Sequence, residues 1–190
     1  MLKNICLNLL TLILFLSFSA DKINADSLKV KSFRGGGNGE IKFEVAAPIS
    51  YVRQILNDDQ LFMPLIPGMQ KWKLVGKEDN AQLVECTMAM SGLIKPATYK
   101  VKLNQSSKDE IKFRRISGDL KDLEGSWKIK SNNQKEGITQ IVYAYRVDTG
   151  MTLIPNLAIE KELKKHLKET KRRVTSKVFQ MYKNQIPQTN

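Results

Sequence analysis

Between residues 70 and 147 apolar and polar side chains alternate with a period of two, and short turn-forming runs interrupt the alternation. The pattern predicts six strands, at roughly 70–77, 82–91, 97–104, 110–117, 125–131 and 138–147, because successive side chains of a strand point to opposite faces of its sheet. Val84, Cys86, Met88 and Met90 share a face, as do Tyr99, Val101 and Leu103, and Ile111, Phe113 and Arg115. Trp127 and Ile129, and Ile141, Tyr143, Tyr145 and Val147, continue it. The opposite positions hold Lys100, Lys102, Lys112, Arg114, Lys128, Lys130 and Arg146. One buried face and one wet face fit an antiparallel sheet covered on a single side.

The turns alternate too. Those at 78–80, 104–109 and 131–137 are hydrophilic, whereas those at 92–96, 119–123 and 150–154 carry Leu, Ile or Met. Alternate turns of an antiparallel meander fall at the same end of the sheet. One end is therefore expected to be wet and the other greasy. Apolar turn tips either fold back as core or serve a cavity mouth, a membrane or a partner.

Three further elements flank the meander. Ile41-Lys42-Phe43-Glu44-Val45 alternates as a strand, and Pro48 and Ser50 open a helix with Val52, Ile55 and Leu56 on one face. Residues 61–68 form a second short apolar segment, broken by Pro64 and Pro67. Pro155 stands where a helix start tolerates proline. From it to about Lys183 the positions Ile159, Leu163, Leu167, Val174, Val178 and Met181 make one apolar stripe of a long helix. Residues 26–40 read as a charged N-terminal extension ending in the flexible turn Gly35-Gly36-Gly37-Asn38-Gly39. No GK[ST] follows the glycines, so a phosphate loop is not indicated. Residues 184–190 read as a frayed tail.

This order is that of the helix-grip fold, and three stretches carry a closer likeness. They are Val45-Ala46-Ala47-Pro48 with the later Met63-Pro64 and Ile66-Pro67-Gly68; Phe113 with Gly118-Asp119-Leu120-Lys121-Asp122-Leu123-Glu124-Gly125-Ser126-Trp127; and residues 137–143 with Ile154-Pro155. On them the chain resembles the START-like (SRPBCC) superfamily, and within it the polyketide cyclase and coenzyme Q-binding START-domain group, over nearly all of residues 41–183. The resemblance implies an α+β helix-grip fold. A curved antiparallel sheet of about seven strands would wrap the long C-terminal helix, with two short helices after the first strand and a hydrophobic cavity between sheet and helix. It does not imply an activity, since such folds host many functions.

Residues 1–25 have the layout of a secretory signal peptide: Lys3, then an apolar run over 5–18, then small and polar residues. The run is short for a membrane span, which takes roughly 20 apolar residues; a retained anchor helix is the alternative. Cleavage is expected after Ala25, with Ser19 or Ala20 as other sites, and implies a periplasmic or secreted domain. Only Cys86 would remain, which excludes an internal disulfide and a cysteine-based zinc site. The formal charge of +12 favours anionic partners, and export makes nucleic acid the weakest of them. A monomer without cofactor or metal is expected.

Candidate chemistry is sparse. His166, the single histidine, reads as a surface or boundary residue beside the apolar stripe, and Cys86 as a buried, inert thiol. Asp119, Asp122 and Glu124 share a turn, where solvation explains them as well as acid–base work does. Binding residues are better marked. Met88, Met90, Tyr99, Phe113, Arg115, Trp127, Tyr143, Tyr145, Leu163 and Leu167 are the expected cavity lining. Methionine suits a pocket that adapts to varied apolar ligands. Arg115 is the sharpest case, because an unpaired charge on the apolar face is costly. It would anchor a ligand's polar head, pair with an acid, or escape at the strand end. Phe62, Leu65, Ile66, Leu93, Ile94, Leu120, Met151 and Leu153 are the expected mouth or membrane contact, with Lys95 and Lys121 among them. The leading expectation is an exported, non-enzymatic binder or carrier of a hydrophobic, lipid-like ligand, with peripheral contact to an anionic membrane. A cyclase or hydrolase using the same cavity, and a basic module for acidic polymers, are the alternatives.

Overall fold

The computed structural model describes residues 27–89, 95–133 and 135–184. The expected signal peptide, Met90, Leu93, Ile94 and all of the tail but Asn184 lie outside the described residues.

Eight strands form one antiparallel sheet: β1 (Ser27–Phe33), β2 (Gly36–Val45), β3 (Met69–Glu78), β4 (Ala81–Met88), β5 (Ala97–Ser107), β6 (Glu110–Gly118), β7 (Asp122–Ser131) and β8 (Thr139–Asp148). Their order across the sheet is β1-β2-β8-β7-β6-β5-β4-β3. Helices α1 (Ile49–Asn57) and α2 (Asp59–Phe62) and a 3-10 turn (Met63–Leu65) link β2 to β3, and α3 (Asn156–Lys183) closes the chain. The fold is the expected helix-grip arrangement with one strand more.

That extra strand corrects the reading of residues 26–40. Leu28 and Val30 are half-buried between exposed Lys29 and Lys31, and the segment pairs with β2. The glycine run is not a flexible turn. Gly36, Gly37 and Gly39 lie within β2, and only Arg34 and Gly35 turn the hairpin. The glycines serve close approach. A Cβ on Gly37 would meet Leu163 Cδ1 at 2.6 Å, and one on Gly39 would meet Leu167 Cδ1 at 2.9 Å.

α3 therefore lies tightly on β1 and β2, burying Leu163, Leu167, Thr170, Val174 and Val178. The sheet's far half curves away from it. Register shifts between Lys100 and Val101 and between Gln105 and Ser107 mark irregularities in the β5–β6 pairing, and such bulges bend a sheet. The core fills the α3 side with Ile41, Phe43, Val45, Trp127, Ile129, Ile141 and Tyr143, under Val52, Ile55 and Leu56 of α1.

Strand pairing puts Met69, Met88, Ala97, Gly118, Asp122 and Asp148 at one end of the sheet. The turns expected to be greasy thus share that end. The hydrophilic turns share the other, where Arg53 of α1 grips Asp109 and Gln105 donates to Asn57.

Candidate ligand-binding cavity

Between the curved half of the sheet and α3 lies a cavity of about 910 Å³, within the range of sites that enclose a small molecule. It runs from Leu120, Leu123, Thr149 and Ile154 at the greasy end toward Asn57, Gln82 and Gln105 near the wet end.

Its sheet wall is aromatic and apolar. Period-two alternation brings Cys86, Met88, Tyr99, Val101, Leu103, Ile111, Phe113, Trp127, Tyr143 and Tyr145 to this side. Trp127 stacks on Tyr143 with ring centroids 4.1 Å apart, and Tyr143 on Tyr145 at 5.2 Å. The Phe113 ring folds over Gly125, where a Cβ would collide with it. Phe62 roofs this wall, edge-on to Trp72 at 5.8 Å and to Trp127 at 5.5 Å.

The helix wall is polar. Ile159, Glu162, His166, Glu169 and Arg173 recur at three and four along α3 and all line the cavity. This stripe flanks the one buried on β2. Arg173 Nε donates to Glu169 at 2.8 Å, and its Nη1 donates to the Pro64 carbonyl at 2.9 Å. The His166 ring stands edge-on to Tyr145 at 5.4 Å and 6.3 Å from Tyr143.

Burial keeps this interior uncharged. It raises the Tyr99, Tyr143 and Tyr145 hydroxyls well above the usual tyrosine range and pushes the Cys86 thiol up to about 12. His166 is lowered to about 4, chiefly by burial and secondly by the Arg173 charge. Glu169 behaves oppositely: hydrogen bonds from Arg172 and Arg173 hold it down at about 2. At neutral pH the aromatic wall offers no thiolate, tyrosinate or imidazolium. Among the described residues no three metal-ligating side chains gather, and no helix is long and apolar enough to cross a membrane.

Of the expected lining, Met88, Tyr99, Phe113, Trp127, Tyr143, Tyr145 and Leu163 border the cavity. Leu167 does not: it is sealed against Gly39 with none of its surface exposed. Arg115 does not border it either. Pairing sets Arg115 opposite Val101, but its Nη2 turns to the Gly118 carbonyl at 2.9 Å, so the guanidinium serves its own hairpin. Of the expected mouth, Phe62, Leu65, Ile66 and Leu120 are buried. Phe62, Ile66 and Leu120 line the interior rather than a rim, and Leu65 is core. Met151 and Leu153 are exposed, Leu153 to 92%. Leu157, in the first turn of α3, joins them at 79% exposure. His166, expected at the surface, is instead a cavity residue. The three-four spacing of its stripe was the available signal.

The family profile of the carbon monoxide dehydrogenase protein CoxG matches residues 42–179. No curated protein matches the chain. Among solved structures, a START superfamily protein from Mycobacterium smegmatis aligns with a TM-score of 0.65 and 14% identity, over 77% of this chain and 99% of its own. The protein TTHA0849 from Thermus thermophilus aligns at 0.64 and 14%, over 76% and 98%. The Zhui aromatase/cyclase from Streptomyces sp. R1128 aligns at 0.58 and 14%, over 80% and 96%. At such identities the likeness is one of fold, and it is the START-like fold that the sequence resembles.

Proposed function

The chain belongs to the carbon monoxide dehydrogenase CoxG family, and from that premise we propose that it is an exported carrier of a hydrophobic, lipid-like molecule. The cavity of about 910 Å³ between the aromatic sheet wall and α3 carries this reading. Its size suits a small molecule, and its uncharged sheet wall favours an apolar one. Export rests on the N-terminal pattern of Lys3 and the apolar run.

Cargo would be exchanged at the greasy end. There Met151, Leu153 and Leu157 stand exposed beside a cavity bordered by Leu120 and Ile154. Lys95 and Lys121, both exposed, favour an anionic bilayer as the surface this end meets. A cyclase-type reaction in the same cavity would draw on Tyr143, Tyr145 and His166. Carriage is the better fit, because Arg115 is engaged with Gly118 and the lining tyrosines stay protonated.

The test is to purify the protein from its native host and analyse organic extracts by mass spectrometry, alongside titration with fluorescent fatty acids and quinones. A reproducible apolar ligand, or saturable one-to-one uptake, is expected. An empty protein that takes up none of these probes would refute carriage.

A further inference from the structure

The helix wall departs from what a purely apolar cargo requires. Glu169 and Arg173 satisfy each other across 2.8 Å, and Arg173 also donates to Pro64. The imidazole between these groups and Glu162 has no hydrogen-bond partner among the described residues. It is nonetheless held in place, edge-on to Tyr145 at 5.4 Å. A neutral imidazole carries one donor and one acceptor. Leaving both unmet beside apolar side chains costs free energy that a bound partner would recover.

We propose that His166 is the polar anchor of the cavity and selects apolar molecules bearing one uncharged oxygen, a hydroxyl or a carbonyl, over hydrocarbons and carboxylates. A hydroxyl or carbonyl matches what a neutral imidazole can accept or donate. A carboxylate at the same place would leave water for a site flanked by Glu162 and Glu169, opposite an uncharged ring. Lys165, on the exposed side of the lining, would hold a carboxylate at the rim and not beside His166. The ring is kept neutral by the burial that lowers its pKa to about 4.

This inference rests on the carrier reading, and the experiment separates the two. Nile red bound by the full chain is displaced by decane, 1-decanol, 2-decanone or decanoate. His166→Phe keeps an aromatic ring against Tyr145 and removes both hydrogen-bonding atoms; His166→Gln keeps a donor and an acceptor. The expected result is that His166→Phe weakens decanol and decanone by about five- to tenfold and leaves decane within about twofold. His166→Gln should retain most of the wild-type margin. Because the chain has a single histidine, its imidazole nitrogen signals report directly, and they should move with decanol but not with decane. Equal losses for decane and decanol, unmoved nitrogen signals at saturation, or decanoate as the tightest wild-type ligand would each overturn the assignment while leaving carriage intact. If neither Nile red nor any of the four binds, carriage fails and the anchor with it.

Discussion

A methyl group on Gly37 would sit 2.6 Å from Cδ1 of Leu163 and 2.8 Å from the Lys31 carbonyl oxygen. The long helix thus rests on β2 at a separation that only a missing side chain permits, and this contact sets the height of the cavity on its other side. Gly37→Ala should destabilise the protein by about 1–3 kcal/mol, the usual cost of overpacking. At Gly76 the nearest atom is the end of Leu83, 3.4 Å away, so Gly76→Ala should change stability by less than about 0.5 kcal/mol. Urea unfolding of both variants checks the contrast.

Arg173 ties the roof of the cavity to the helix through the Pro64 carbonyl, and Glu169 holds it in position. Arg173→Met keeps the aliphatic stem and loses both bonds. Residues 61–68 should then exchange their amide hydrogens faster while the strands of β7 and β8 are unchanged, and a bound probe should leave faster. Hydrogen-exchange mass spectrometry reads the first effect and stopped-flow fluorescence the second. Uniform exchange across the chain would show that the bond does not hold the roof.

Much of this architecture is legible in the chain because alternation and burial agree. Tyr99 and Val101, Trp127 and Ile129, and Ile141 and Tyr143 all face inward as their spacing predicts, and the register gathers the greasy turns at one end. The glycine strand is not legible. A residue without a side chain leaves no mark on the alternation, and its meaning lies in the distance to Leu163 and Leu167. Period two misplaces Arg115 because it assigns a face alone, whereas the Gly118 carbonyl decides where the guanidinium goes. His166 escapes the pattern for a related reason. A helix buried on β2 along one stripe can line a cavity with the next, and which neighbour counts depends on how far the sheet curves away.

Cys86 borders the cavity with 1% of its surface exposed, and its thiol is pushed up to about 12. The thiolate is the reactive form. In the folded protein at pH 8 iodoacetamide should therefore label the Cys86 peptide at least about a hundredfold more slowly than in urea. Peptide mapping by mass spectrometry gives both rates. Rapid native labelling would mean that the wall opens at Cys86.

Leu153 and Leu157 are 92% and 79% exposed, so replacing them costs the fold little, whereas burying a leucine in a membrane gains about 1.5–3 kcal/mol. The double variant Leu153→Ser, Leu157→Ser should bind phosphatidylglycerol vesicles at least about tenfold more weakly with unchanged thermal stability. Raising salt to about 0.5 M should weaken the wild type as well, since lysines near an anionic surface contribute about 1 kcal/mol each and salt screens them. Vesicle co-sedimentation measures both. Equal binding by wild type and variant would remove this end as the docking surface.

His166 gives acid sensitivity a definite sign. The ordinary imidazole takes its proton near 6.5, but the folded protein resists it down to about 4, because the ring is buried and Arg173 is near. Between those values the unfolded chain binds more protons than the folded one, so stability falls as pH drops through the window and is flat above it. The slope from this one group is at most about 1.4 kcal/mol per pH unit. The adjacent Tyr143 and Tyr145 stay protonated and Glu169 stays ionised throughout the window, so none of the three masks the effect. Other carboxylates add their own acid dependence, and a difference measurement removes it. Urea unfolding of wild type and His166→Phe across the window from about pH 4 to about pH 7.5 should give curves that run parallel above the ordinary imidazole value of 6.5 and converge or cross below it, the variant losing less stability in acid. Parallel curves over the whole range would mean that the imidazole takes its proton as readily folded as unfolded, and that it does not sit inside a dry wall.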